Sequence, residues 1–292
     1  MLGKKDFMAK DGRRIRTLPP MNIVAPYIML DRVGASNFIQ DSVDVANMER
    51  YIRQKRESGL KNFGVLHLLL SAYVRTVAER PGINRFIRGN HIYARTDGIV
   101  ISMMVKKAMQ LNAMETCVKL KLKPSATPEE IYNEFQKLVE DNRVSEDKDE
   151  NSFDDTARIL KYIPGLLLKV AIKFLRFLDY INLLPSNLRD LSPFHASMFI
   201  TSMGSLGIPP IVHHLYDFGN IPVFLAYGKK RSQLMMGRDG NIEERKYLDF
   251  TVCTDERICD GHYFASALKM MKDILQHPDK LDMPVTVVED IR

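Results

Sequence analysis

Seven residues, DERICDG from Asp255 to Gly261, stand between the apolar run YLDFTVCT and the helical pattern HYFASALKMMKDIL. A strand must therefore pass into a helix almost without a loop, and Pro278 stops that helix. Any fold proposed for the chain has to accommodate this passage.

Upstream, FIQDSVDV alternates like a half-buried strand, and MERYIRQKRESG turns helical and stops at Gly59. VLHLLLSAYVRTVAER is a second, more apolar helix closed by Pro81. NRFIRGNHIYAR predicts a hairpin turning at Gly89 and Asn90, and GIVISMMVKK and ETCVKLKLK predict strands. Thr127, Pro128 and Glu130 supply the N-cap, first-turn proline and capping box of a helix over EEIYNEFQKLVEDN. Later, HASMFIT and PVFLAYGK read as strands, and SQLMM pairs with ERKYLDFTVCT across the turn GRDGN. There is no internal repeat, CxxC pair, HExxH or P-loop signature.

A chain of 292 residues, 45% of them hydrophobic, suffices for one large domain or two small ones with a real core. Cys117, Cys253 and Cys259 lack metal-ligand spacing and follow no signal peptide, so a reducing, cytoplasmic setting and no metal site are expected. The net charge of +6 admits nucleic acid, an anionic membrane surface or a polyanionic small molecule. Nucleic acid ranks lowest, because the basic residues form no recognised module or aromatic stacking pattern. Residues 1–20 form a basic arm with Lys4, Lys5, Lys10, Arg13, Arg14 and Arg16, read either as solvated or as phosphate-binding.

A domain is expected over 21–281, interrupted by a charged, solvated linker at 143–155 and an apolar helical insertion at about 156–185, with 282–292 as a tail. Within IPGLLLKVAIKFLRFLDYINLLP, Lys169, Lys173, Arg176 and Asp179 make one narrow polar stripe on a helix. Charges midway along it argue against spanning a membrane. Two readings stay open: a helix buried in the fold or at a subunit contact, and a cationic helix lying in a membrane surface through residues 165–184.

DERICDG with its following helix, FITSMGSLG and IPVFLAYGK resemble the catalytic domain shared by dihydrolipoamide acyltransferases and chloramphenicol acetyltransferases. The dihydrolipoamide enzymes write the first motif DHRxxDG and end the second strand Ile-Ser-Asn-Leu-Gly. The order of elements from Met21 to Leu281 follows the family as well. The resemblance implies an α/β fold, a two-layer sandwich with a mixed sheet. It implies trimers with active sites between neighbouring subunits, reached by coenzyme A (acyl-CoA, not covalently bound) from one side and a small-molecule acyl acceptor from the other. No lipoyl domain is found in this sequence, which argues against a role as the core of a full oxoacid dehydrogenase complex.

In that family a histidine takes the proton of the attacking thiol or hydroxyl, and a Ser or Thr hydroxyl donates to the developing oxyanion, an effect of about 3–4 kcal/mol. Thr201 and Ser202 occupy the hydroxyl region, and either serves; a strand-end hydroxyl bonding its own backbone is the plain alternative. Asp260 matches the family's structural aspartate, which holds the loop through an arginine. Gly261 permits the tight turn, and Arg257 is the expected ion-pair partner.

The family's histidine is replaced here by Glu256. A free carboxylate titrates about four units below a free thiol, so complete transfer to it is uphill by roughly 5–6 kcal/mol unless burial intervenes. His262, in the first turn of the helix, is a substitute, since the positive helix end favours the neutral, basic imidazole. His213 and His214, in IPPIVHHLYDFGN, fall where the dihydrolipoamide enzymes carry an Asn-Pro-Pro-Gln stretch, and an extended strand would point them apart. His67 and His195 read as satisfied core histidines. The expected function is CoA-dependent acyl transfer to a thiol, hydroxyl or amine. The alternative is a non-catalytic trimeric binding or scaffold protein of the same fold, possible membrane association included.

Overall fold

The computed structural model describes residues 11–106, 115–146, 163–237 and 240–292. The chain runs β1 (Gly12–Arg14), α1 (Pro20–Ile28), β2 (Ser36–Asp44), α2 (Ala46–Glu57), α3 (Val65–Glu79), β3 (Phe86–Arg88), β4 (His91–Arg95), β5 (Ile99–Lys106) and β6 (Glu115–Leu122). It continues α4 (Pro128–Glu146), α5 (Gly165–Tyr180), α6 (Ser186–Leu191), β7 (Met198–Ser202), β8 (Val223–Met236), β9 (Ile242–Asp255) and α7 (Gly261–Gln276). Six strands form one sheet in the order β2-β9-β8-β7-β5-β6. It is mixed, because β7 runs parallel to both β5 and β8 while the other pairs are antiparallel. The short strands form a second sheet, β1-β4-β3.

The alternation of each strand explains the layers. Val43, Ile101, Leu225, Leu248 and Phe250 turn to one face and join the main core with Met48, Leu69, Tyr73, Ile131 and Leu275 of the helices α2, α3, α4 and α7. Phe199, Phe224, Ala226 and Cys253 turn the other way and are covered by Leu215, Ile211 and Tyr216 of the long loop before β8. The expected two-layer α/β sandwich with a mixed sheet is the observed fold. The capping box of α4 is also present: the Thr127 N–H donates to Glu130 Oε2 at 2.9 Å and the Glu130 N–H to Thr127 Oγ1 at 3.2 Å.

Several local expectations change. PVFLAYGK and SQLMM are one continuous strand, β8, whose irregularity between Tyr227 and Lys230 breaks the alternation that a sequence pattern relies on. Residues 143–146 continue α4, and the rest of the charged linker, 147–155, lies outside the described residues. Of the basic arm, residues 1–10 also lie outside them, but residues 12–14 pair with β4, and Asp11 is buried. Asp11 accepts two bonds from Arg88, at 2.9 and 2.6 Å, and pairs with Arg189 at 3.1 Å. The 282–292 tail is docked: the Val288 N–H donates to the Ala78 carbonyl at 2.8 Å, and Asp290 pairs with Arg85 at 2.5 Å.

The two core histidines part company. His195 is satisfied, with Nδ1 2.9 Å from Ser192 Oγ and Nε2 3.2 Å from Asp179. Burial holds its imidazole below the ordinary range although Asp179 opposes this, so the contact is a hydrogen bond to a neutral ring. His67 is only half satisfied: Nδ1 accepts the Gly64 N–H at 3.1 Å, while buried Nε2 has no hydrogen-bond partner among the described residues. The ring lies among Phe63, Tyr132 and Phe135, and burial, assisted by the charge of Arg56, pulls it down from 6.5 to about 4.

The unfolded chain thus binds a proton at this position between those two values and the fold does not. Stability contributed by neutral His67 is complete above pH 6.5 and is lost as pH falls towards 4, by on the order of 3 kcal/mol. Urea unfolding of wild type and His67→Phe at pH 7, 5.5 and 4 should show the extra loss in wild type alone.

Candidate active site

Asp255, the last residue of β9, is buried; in the turn that follows, Glu256 is exposed and Arg257 is buried. Arg257 grips Asp255 as a fork, with Nε and Nη2 each donating at 2.8 Å, and its Nη1 donates to the Met29 carbonyl at 3.0 Å. Arg32 adds a second cation 3.4 Å from the same carboxylate and donates to the Tyr216 carbonyl at 2.8 Å.

The expected partnership of Asp260 and Arg257 is therefore corrected: the carboxylate that holds the loop is Asp255. Sequence reading missed both Asp255 and Arg32; the i,i+2 Asp-x-Arg spacing was the one available signal for the first. Asp260 is instead the N-cap of α7, accepting the Tyr263 N–H at 2.8 Å. Gly261 opens that helix without a left-handed φ, and a Cβ there would meet nothing within 4 Å, so the turn in this chain does not require glycine.

Glu256 and His262 are both exposed, and neither side chain makes a hydrogen bond or ion pair with a described residue. Cys259 is buried, which pushes its thiol up to about 12, away from the reactive thiolate.

Thr201 and Ser202 close β7 and are half-buried. The register aligns Ser202 with Tyr227 and Tyr227 with Phe250, while Glu256 lies six residues beyond Phe250. At about 3.3 Å per residue the hydroxyls sit roughly 17–20 Å along the sheet from Glu256. One chain does not bring them together.

His213 and His214 do not point apart as an extended strand would require. Their rings stack with centroids 4.9 Å apart, and His213 also stacks on Phe224 at 4.1 Å. Burial lowers the His213 imidazole. No group of three or more metal-binding side chains occurs among the described residues.

Beside the loop, at the same end of the sheet, lies a cleft of about 1190 Å³. Arg13, Arg14, Arg16, Arg95 and Arg292 line it against Glu289 and Asp290. Asp290 is taken by Arg85, which also donates to the Ile258 carbonyl of the loop at 3.4 Å. Arg14 and Arg16 are exposed and have no ion-pair partner among the described residues. The excess of cations fits a phosphate-bearing ligand.

The sequence model described as 2-oxoacid dehydrogenases acyltransferase (catalytic domain) matches residues 195–283, which span β7, β8, β9, the DERICDG loop and α7. No curated protein matches the sequence. Among solved structures, the chain is similar to dihydrolipoamide acetyltransferase of Azotobacter vinelandii, at 15% identity and TM-score 0.59, over 97% of this chain and 99% of that one. It is similar to a probable dihydrolipoamide acetyltransferase of Listeria monocytogenes, at 15% identity and TM-score 0.55, over 92% and 98%. It is likewise similar to a chloramphenicol acetyltransferase, at 14% identity and TM-score 0.53, over 90% and 99%. The chain has the fold of these acetyltransferases, and residues 195–283 match the acyltransferase catalytic-domain model.

If Asp255 anchors the loop, Asp255→Ala strands two buried arginines and should cost about 3–5 kcal/mol in urea unfolding. Asp260→Ala should cost about 1 kcal/mol as a lost N-cap, and Gly261→Ala should change stability by less than about 1 kcal/mol.

Proposed function

We propose that the chain is a CoA-dependent acyltransferase whose active site is shared between copies, as the trimeric reading of its fold family implies. The reading rests on the acyltransferase-family segment carrying an intact strand-turn-helix loop. The strand register supports the shared site: Glu256 and the hydroxyls of Thr201 and Ser202 are about 17–20 Å apart along one sheet, so a site using both would be completed across a subunit boundary.

The acceptor is a small thiol, hydroxyl or amine. Bound acyl-CoA would supply the activated acyl carbon. Arg14 and Arg16 of the basic cleft would hold its phosphates. Glu256 or His262 takes the acceptor's proton as the new acyl bond forms and the thioester C–S bond breaks, and that proton passes to the departing thiolate. Thr201 or Ser202 from a neighbouring copy donates to the carbonyl oxygen as its charge grows. The catalytic mechanism of the similar Azotobacter enzyme has been investigated at a serine, a histidine and an asparagine. Here the hydroxyl is kept, while the base falls to Glu256 or His262.

A second reading, a scaffold that keeps the fold without catalysis, draws on the exposure of Glu256 and its lack of a described partner. Assay with a panel of acyl-CoAs and acceptors separates the two: steady acyl-CoA consumption supports the enzyme, and none across the panel supports the scaffold.

For the enzyme, Glu256→Ala/His262→Ala and Thr201→Ala/Ser202→Ala should each abolish turnover, and refolding the two variants together should recover part of it. Recovery fails if each site lies within one chain. Arg14→Ala/Arg16→Ala should raise KM for acyl-CoA about tenfold, a loss of roughly 1.4 kcal/mol of binding, with kcat little changed.

A further inference from the structure

Helix α5 is inverted relative to an ordinary surface helix. At about 100° per residue, Leu166, Val170, Phe174, Phe177 and Ile181 fall within one arc of roughly 80°. That arc faces outward: Leu166 is 76% exposed, Val170 58%, Phe174 57% and Phe177 56%, and no residue of the helix is buried. Leu168, Leu175 and Leu178 turn towards the body instead. Lys169, Lys173 and Arg176 border the apolar arc on one side and have no ion-pair partner among the described residues. Asp179, the helix's one acid, is turned in, held by His195 at 3.2 Å and Arg88 at 3.7 Å.

The apolar surface continues into α1. Leu30, just past that helix, and Tyr180 line one pocket, and Tyr27 and Ile28 are 51% and 66% exposed. Asp31, next to Leu30, and Asp217 line that pocket with Arg176, while Lys169 and Lys173 are not among its lining and have no ion-pair partner among the described residues.

We propose that α5, continued by the end of α1, lies in the surface of an anionic lipid bilayer, with Leu166, Val170, Phe174 and Phe177 entering the acyl boundary and Lys169, Lys173 and Arg176 among the headgroups. An outward apolar arc with exposed phenylalanines and a cationic flank is the chemistry of a helix that lies in that boundary. No helix among the described residues is long and apolar enough to cross a membrane, so the contact is peripheral. The proposal goes beyond acyl transfer and stands whether or not the chain turns over.

The test uses the whole chain and sedimentation with vesicles of phosphatidylcholine alone or with 30% phosphatidylglycerol, about a third anionic lipid. Binding is expected to the anionic vesicles and to fall with added salt. Lys169→Gln/Lys173→Gln should weaken it about thirtyfold, the affinity of two basic residues near an anionic surface. Phe174→Ser/Phe177→Ser should abolish it, with the unfolding midpoint and the mass by light scattering unchanged. Failure of the wild type to sediment with anionic vesicles overturns the proposal, as does binding insensitive to both pairs of substitutions. A phenylalanine variant that breaks up the assembly overturns it in favour of a subunit contact.

Discussion

A carboxylate with almost no access to water holds the candidate site together. Asp255 is 1% exposed at its side chain and faces two arginines, of which Arg257 belongs to its own loop and Arg32 to the segment after α1. A buried ion cluster of this kind is not a large net source of stability, but removing one member strands the others. Its structural effect is to fix geometry: Arg257 reaches the Met29 carbonyl and Arg32 the Tyr216 carbonyl, so the end of β9, the exit of α1 and the loop before β8 share one anchor. With Asp255 and Arg257 held inside by this cluster, Glu256, in the turn between them, is the exposed one of the three. The exposure of Glu256 accompanies the burial of the residues on either side of it.

The same device recurs on the other side of the β3–β4 hairpin. Arg88 is held by Asp11 and also donates to Asn182 at 2.8 Å, while Asp179 takes His195. Asn182 has a φ of 63°, a conformation asparagine tolerates better than most residues, and it closes α5. Burial pushes the Asp179 carboxyl up, but His195, Arg88 and Arg32 outweigh it and leave it below the ordinary carboxylate range. Once the only acid of α5 is spent inward, the cations and the apolar arc remain outside. Anchoring and exposure of this helix are two sides of one arrangement.

Much of the fold was legible because local rules and global packing agree there. The alternation of FIQDSVDV, the capping box at Thr127, the hairpin turning at Gly89 and Asn90, and the strand-turn-helix around DERICDG all appear as their residues predict. The site was less legible because its geometry depends on partners remote in sequence. Asp260 looked like the loop's anchor since it stands in the motif, whereas Arg257 chooses Asp255 because both point to the same side. His213 and His214 stack instead of diverging, because their loop is irregular and Phe224 offers a ring to cover. His67 lost a hydrogen-bond partner that no one-dimensional pattern could have revealed.

By itself the sequence determined the α/β alternation, the mixed-sheet acyltransferase fold through its motifs, and the position of Glu256 four residues before Asp260. These depend on residue type and spacing along the chain. The tertiary structure alone decided that Glu256 faces outward, that Thr201 and Ser202 stand several residues away from it along the same sheet, and that α5 offers its apolar side to the surroundings. Each of those follows from register or from a buried charge claiming a particular arginine, and neither of these is fixed until distant segments meet.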